Sequence, residues 1–257
     1  MIFDSHAHYD DKQFDIDRDE LLSSMNSNGV GLIVNVASDL KSWSKTIELT
    51  EKYPFIYGTI GIHPSCKEDL SVESIEKISQ YLKRDKIVAV GEIGLDYYWD
   101  KDNHKLQKEM FIKQLEIARN HNLPVVIHSR EAAADTFNIV NNHGADLKGV
   151  MHCYSYSVEQ AREYVKMGFY IGVGGVVTFS NGKKLKEVVA EIPLESILME
   201  TDCPYLAPMP YRGKRNVSEY LIHVAKEIGA IKGIHYKDVI KQTWENGKKL
   251  YEKANVG

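Results

Sequence analysis

A chain of 257 residues, 43 % hydrophobic and 26 % charged, has the make-up of a globular protein with a sizeable core, which excludes a disordered tract, a collagen-like repeat and a disulfide-stapled miniprotein. With 32 Lys and Arg against 36 Asp and Glu the formal net charge is −4, so no chain-wide field draws it to nucleic acid or to a membrane surface. The three cysteines, Cys66, Cys153 and Cys203, form no CxxC pair. Together with a charged opening and no apolar run of about 18 residues, they predict a soluble, cytoplasmic protein.

In chain order, the first apolar run covers 2–5 and is followed by His6 and His8. A second covers 31–36 and a third 55–62, with His63 just beyond it. Ser71 ahead of Ile75, Ile78 and Leu82 reads as a capped amphipathic helix. The run 87–93 carries Glu92, and 104–122 then places Leu106, Met110, Phe111, Leu115 and Ala118 on one helical face. Runs at 124–128 and 149–152 end on His128 and His152. Ser157 with Gln160 three residues on is a capping-box signature for the next helix. Runs at 169–173 and 197–200 follow, the latter with Asp202 two residues past its end. A proline-containing loop spans 204–215, and 237–253 forms a last helix with Ile240, Trp244, Gly247 and Leu250 in register. Continuous apolar runs rich in β-branched residues suit strands covered on both faces. Eight of them alternating with helices predict a (β/α)8 TIM-type barrel, a single domain over 1–257 with an extra C-terminal helix.

His8 and Asp202 lie 194 positions apart, seven steps of about 28 residues, the size of a βα unit. In such a barrel the C-terminal strand ends converge on one mouth. A lone His at a strand end is more often a hydrogen-bonded core residue than a ligand, and Asp202 alone could cap a turn. Glu92 alone in an apolar strand is costly unless paired or metal-bound. Four histidines (His6, His8, His128, His152) and two carboxylates (Glu92, Asp202), all at the same ends, have no such cheap explanation. That donor set suits two divalent ions about 3.5–4 Å apart, drawn from magnesium, manganese, zinc, iron and nickel, with Glu92 between them. Such a pair activates water and neutralises charge on a phosphoryl or carbonyl oxygen; Asp202 holds one ion and takes the proton of the attacking water. His63 stands between ligand and substrate-facing group. The other five histidines, His104, His121, His143, His223 and His235, are expected on the surface, and Cys153 and Cys203 are expected to pack.

Asp4-Ser5-His6-Ala7-His8, Gly61-Ile62-His63-Pro64, Gly91-Glu92-Ile93-Gly94-Leu95-Asp96-Tyr97, Pro124 to Arg130, His152-Cys153-Tyr154 and Glu200-Thr201-Asp202-Cys203-Pro204-Tyr205-Leu206 together resemble the TatD family of metal-dependent deoxyribonucleases, within the amidohydrolase-like barrels. The resemblance runs nearly end to end, through Arg212-Gly213-Lys214-Arg215-Asn216 to Thr243-Trp244-Glu245-Asn246. It implies a metal-dependent phosphodiesterase acting on DNA, single-stranded or at its ends, as a 3′→5′ exonuclease. By position it gives one ion His6, His8, Glu92 and Asp202, and the other Glu92, His128 and His152. Glu92 stands where many amidohydrolases use a carboxylated lysine. One departure bears on substrate contacts: the family usually continues Arg-Asn with Glu-Pro, and this chain has Val217-Ser218.

Besides His63, three groups are candidates for substrate contact. Arg130 clamps a phosphate, or else pairs with Glu131 or Asp135. Arg212, Lys214 and Arg215 steer a backbone, or else form a solvated loop. Tyr97-Tyr98-Trp99 stacks an unpaired base, or else packs. Lys183, Lys184 and Lys186 read as a helix face. The alternative on the same site is a carbonyl hydrolase, an amidohydrolase or a D-aminoacyl-tRNA deacylase, because a fold does not fix a substrate. A barrel used only for binding would have lost ligands, and none is lost. No apolar stripe is left over, which points to a monomer.

Overall fold

The computed structural model describes residues 1–254. Eight strands run parallel in sequence order: β1 (Ile2–Ala7), β2 (Val30–Val36), β3 (Ile56–Ile60), β4 (Ile87–Asp96), β5 (Val125–Arg130), β6 (Gly149–Met151), β7 (Phe169–Val173) and β8 (Ile197–Met199). The ring is nearly closed where the chain passes β8. There Asp202 N–H donates to the His6 carbonyl (3.0 Å) and His8 N–H to the Cys203 carbonyl (2.9 Å). Ser5 Oγ adds a bond to the Met199 carbonyl at 3.0 Å. This is the expected (β/α)8 barrel. Its helices are α1 (Arg18–Ser24), α2 (Leu40–Lys52), α3 (Val72–Tyr81), α4 (His104–Asn120), α5 (Ala133–His143), α6 (Val158–Lys166), α7 (Lys183–Glu191) and α8 (Leu221–Lys232), with α9 (Tyr236–Leu250) as the extra C-terminal helix.

Two apolar layers hold the ring. One lies between sheet and helices and takes the stripe Met110, Phe111, Leu115 and Ala118 of α4. The other fills the barrel interior with Phe3, Val34, Val88, Val126, Val150 and Leu198, and Leu250, Tyr251 and Ala254 join it from the C-terminal segment. The chain leaves α9 at Leu250, short of the expected 253, because Tyr251 turns in to plug the barrel, with its hydroxyl donating to the Ser5 carbonyl (3.2 Å).

Other departures have local causes. Strand β3 ends at Ile60, two residues early, because the backbone turns at His63, where Ser65 N–H donates to His63 Nδ1 (3.1 Å). Strand β4 continues three residues beyond the expected end, to Asp96. Ser71 caps α3 as expected. Only half of the Ser157 box forms, since the Gln160 side chain donates to the Ala133 carbonyl instead (2.9 Å). Of the five histidines expected on the surface, His143 and His235 are exposed, whereas His104, His121 and His223 are half-buried, His104 stacking on Tyr97 at 3.6 Å. An apolar stripe is in fact left over, in a groove of about 620 Å³ lined by Met1, Ile222, Tyr236, Ile240 and Trp244 among others. No helix among the described residues is long and apolar enough to cross a membrane.

Candidate metal centre

The polar residues gather where β1, β4, β5, β6 and β8 end, in a cavity of about 560 Å³ lined by His8, His63, Glu92, His128, His152 and Asp202 among others. Glu92, buried in β4, is the hub. Its Oε2 faces His6 Nε2 (3.6 Å) and His8 Nε2 (3.9 Å). Its Oε1 faces His128 Nδ1 (2.9 Å) and His152 Nε2 (3.8 Å). Asp202 Oδ1 lies 3.3 Å from His8 Nε2, 3.8 Å from His6 Nε2 and 3.7 Å from His152 Nε2. All six expected ligands therefore meet. Ligands about 2.0–2.2 Å from a tetrahedral ion stand roughly 3.4 Å from each other, and these separations bracket that value. The donor set of imidazole nitrogens and carboxylate oxygens fits divalent ions.

His8 and His128 are held toward the cluster by a hydrogen bond on their other nitrogen, the device by which metal-ligating histidines are oriented, and His152 has a carboxylate beside its own. His8 Nδ1–H donates to the Val36 carbonyl at 2.7 Å, leaving Nε2 as the free lone pair. His152 Nδ1 lies 3.1 Å from Glu200 Oε1, again freeing Nε2. His128 is held the other way round, with Nε2 3.1 Å from Asp96 Oδ2 and Nδ1 toward the hub. His6 Nδ1 and His152 Nδ1 are both buried without a hydrogen bond, the latter facing only the charge of Glu200. Asp96 and Glu200 had no role in the sequence reading. Glu200 ends the apolar run 197–200, whereas Asp96 lies three residues beyond the run 87–93.

His63 resolves differently from a ligand. Its Nδ1 accepts from Ser65 N–H, so the neutral ring carries its proton on Nε2, which points toward Glu92 Oε1 at 3.8 Å. Burial and the nearby His128 push its pKa down to about 3, which keeps it neutral. It presents a hydrogen-bond donor to the cavity, not a lone pair.

Electrostatics favour cations here. Burial works against a charged His8, yet Asp202 raises it to about 9. Burial likewise opposes His152, and Glu200 and Glu92 raise it to about 10. Glu92 is held well below the usual carboxylate range despite burial, by the imidazoles that surround it. Asp202 is lowered as well, its burial outweighed by His8 and His152. Protons and divalent cations compete for the same nitrogens, and carboxylates that hold protons so firmly on imidazoles form a site that attracts metal.

The backbone shapes the cluster. Asp202 sits at φ +55°, a left-handed conformation that Asp tolerates better than most side chains. Beneath it Asp4 Oδ1 accepts from Thr201 N–H (3.0 Å), while Oδ2 accepts from the hydroxyls of Thr201 and Ser218 (2.6 Å each). Burial pushes the Asp4 carboxyl up to about 6. Ser218, half of the Val-Ser departure, is thus a buried support for β1 and β8 and does not line the cavity. Gly172 makes room for Glu200, because a Cβ there would lie 2.5 Å from Oε2. Gly94, at φ +139°, lets the His128 carbonyl approach to 2.0 Å of where a Cβ would be.

The substrate-facing candidates divide. Arg130 lines the cavity. It pairs with neither Glu131 nor Asp135; its guanidinium lies 4.0 Å over the Tyr98 ring and 5.7 Å from that of Trp99. Asp135 is taken by Lys108 and by the Tyr97 hydroxyl, at 2.7 Å each. Tyr97 packs, whereas Trp99 is 67 % exposed. Arg215, expected to meet a nucleic acid, is instead clasped by both oxygens of Asp17. Neither it nor Lys214, whose ammonium lies over the Tyr211 ring at 5.8 Å, lines the cavity.

A family model described as "TatD related DNase" matches residues 3–252. The chain belongs to the TatD family. It is 43 % identical over 252 residues to YabD of Bacillus subtilis (strain 168), described as an uncharacterized metal-dependent hydrolase, with 98 % of this chain and 99 % of that protein aligned. It superposes on the crystal structure of the TatD homologue YjjV from Escherichia coli K12 with a TM-score of 0.92 at 31 % identity, covering 98 % of each chain. A TatD-family hydrolase structure from Entamoeba histolytica gives 0.88 at 25 % identity, again over 98 % of each. The chain is accordingly a metal-dependent hydrolase of the TatD family.

Proposed function

We propose that this TatD protein hydrolyses phosphodiester bonds of DNA, single-stranded or at its ends, as a 3′→5′ exonuclease with two divalent ions in its cavity. The observation that carries the reading is Glu92. One carboxylate oxygen faces His6 and His8 and the other faces His128 and His152, the arrangement a carboxylate shared by two ions requires. His6, His8, Glu92 and Asp202 would hold one ion, and Glu92, His128 and His152 the other. Ions there supply Lewis acidity to a phosphoryl oxygen and lower the pKa of water.

The chain's own groups do the rest. Asp202, kept ionised by its imidazole neighbours and partly open to the cavity, accepts the proton of the attacking water. His63 Nε2–H donates to a non-bridging oxygen. Arg130, pre-stacked on Tyr98, receives the phosphate through its fork, and Trp99 offers a face to an unpaired base. The site is assembled within one chain, which suits action as a monomer and a single unit over 1–257.

The test is metal-stripped protein with end-labelled single-stranded DNA, supplied in turn with Mg²⁺, Mn²⁺ and Zn²⁺, with Glu92→Gln alongside. Metal-dependent release of mononucleotides from the 3′ end, lost in the variant, is the expected result. Bound ions without cleavage of DNA would move the substrate to a carbonyl compound, with aminoacyl-tRNA esters next.

A further inference from the structure

Two basic runs, far apart in the chain, come together on the rim of the barrel. One is Lys183 and Lys184, the first two residues of α7; the other is Arg212 and Lys214, in the loop after β8. The segments that carry them are bound to each other. Met209 N–H donates to Thr178 Oγ1 at 2.8 Å, and the Arg212 guanidinium lies 4.4 Å over the Phe179 ring. Gly182 N–H closes a turn onto the Phe179 carbonyl (3.1 Å), which starts α7 beside that ring, and Lys214 N–H closes another onto the Tyr211 carbonyl (2.9 Å).

The fold makes no use of these charges. All four side chains are exposed. Among the described residues none of them forms an ion pair, whereas their neighbours Lys186 and Arg215 are taken by Glu227 (2.6 Å) and Asp17. Lys183 and Lys184 also stand in the first turn of α7 with no acidic residue beside them, against a helix dipole that favours carboxylates there and cations at the other end. The patch adjoins the metal cavity without lining it. Tyr205 and Leu206 line the cavity, and Met209, 48 % exposed, and Arg212 follow them in the same loop. On the β1 side the cavity is lined instead by Asp10 and Asp11, which repel a phosphate.

We infer that Lys183, Lys184, Arg212 and Lys214 form the track of the single strand outside the cavity, holding the phosphates on the 5′ side of the bond that is cut. This rests on the phosphodiesterase reading above. A strand with its 3′ end at the donor cluster leaves the cavity over Tyr205 and Leu206 and meets these cations next. Unpaired cations that follow a backbone, with apolar side chains between, hold single strands without regard to sequence, and each phosphate neutralised steepens the salt dependence. The rim thereby supplies the positive charge that the acidic cavity lacks.

The experiment compares kcat/KM of the Mn²⁺-loaded full chain on a strand of about 20 thymidines and on bis(p-nitrophenyl) phosphate, a diester too short to reach the rim, between about 50 and about 200 mM KCl. The double variant Lys184→Gln, Arg212→Gln removes two charges at the rim. Its control, Lys237→Gln with Lys241→Gln, removes two in the groove beside Met1, at the opposite end of the barrel. The rim variant is expected to lose about tenfold on the strand at low salt and to flatten its logarithmic salt slope by about 1.4, two phosphates' worth, with less than about twofold change on the small diester. The control should match the parent on both. Fluorescence anisotropy of a labelled strand on the metal-free proteins should show the same loss of affinity in the rim variant alone. Equal shifts in the two variants, or an unchanged slope in the rim variant, overturn the inference while leaving phosphodiester hydrolysis intact. Cleavage of neither substrate, by parent protein shown to hold its ions, overturns both.

Discussion

The two ends of this barrel are built from the same eight strands and do opposite things. At the N-terminal end Phe3 meets Trp244 and Tyr251 at ring separations of 5.9 and 6.0 Å, and Tyr251 closes the interior. At the C-terminal end the strands finish in buried imidazoles and carboxylates, with Asp202 in a left-handed backbone conformation. Apolar packing stabilises the first end. The second collects groups whose desolvation opposes folding unless protons or cations compensate. Stability and chemistry are thereby separated along the strand direction, which makes the two ends independently breakable.

The sharpest break is Glu92→Gln. Losing the shared carboxylate charge is expected to lower metal-dependent turnover by about a thousandfold, roughly 4 kcal/mol of transition-state stabilisation. The melting of the metal-free protein should shift little, which differential scanning calorimetry reads beside the assay. Phe3→Ala is the mirror experiment: a large-to-small change in the sealed end costs about 3–5 kcal/mol in a urea titration. The kcat/KM of its folded fraction should stay within about twofold of the parent, a difference of less than about 0.5 kcal/mol. Parallel losses of stability and turnover in either variant would show that the ends are coupled.

Glu200→Gln sharpens the comparison within the mouth. Gln still fits beside Gly172 but no longer holds the Nδ1 proton of His152 by charge, so metal affinity should fall by about 10- to 100-fold. Competition with a chromophoric chelator measures that, and ¹⁵N shifts of His152 should report a loosened tautomer. Asp96→Asn should act on His128 in the same direction. The smallest effect belongs to the surface clasp outside both ends. Arg215 holds Asp17 below the usual carboxylate range, so the pair contributes above the ordinary Asp pKa and the contribution fades as pH falls through the depressed value. Arg215→Ala should cost about 0.5 kcal/mol at neutral pH and progressively less in urea titrations taken below about pH 4.

Arg215 also marks where sequence reasoning ends. As part of a run of three basic residues it read as a nucleic-acid contact or a solvated loop, because its partner Asp17 lies 198 positions away and no local pattern links them. Arg130 was left open between a phosphate and an ion pair, and the ring of Tyr98 decided against the ion pair. The Val217-Ser218 departure read as a change in a substrate loop. Its serine turned out to be a buried prop, since only closure of β1 against β8 brings it to Asp4.

The barrel, and the six side chains that converge at its mouth, were legible from the chain alone. Runs of β-branched residues report burial on both faces, and candidate ligating residues in or just after five of the eight runs are a one-dimensional pattern that survives without coordinates. Which nitrogen of each imidazole faces the centre was not legible, nor that Asp96, Glu200 and the Val36 carbonyl set it, nor that His63 is a donor. Those facts depend on distances of about 3 Å between strands far apart in sequence. Hydrogen bonds select partners by that geometry, and register and ring closure, not local propensity, create it.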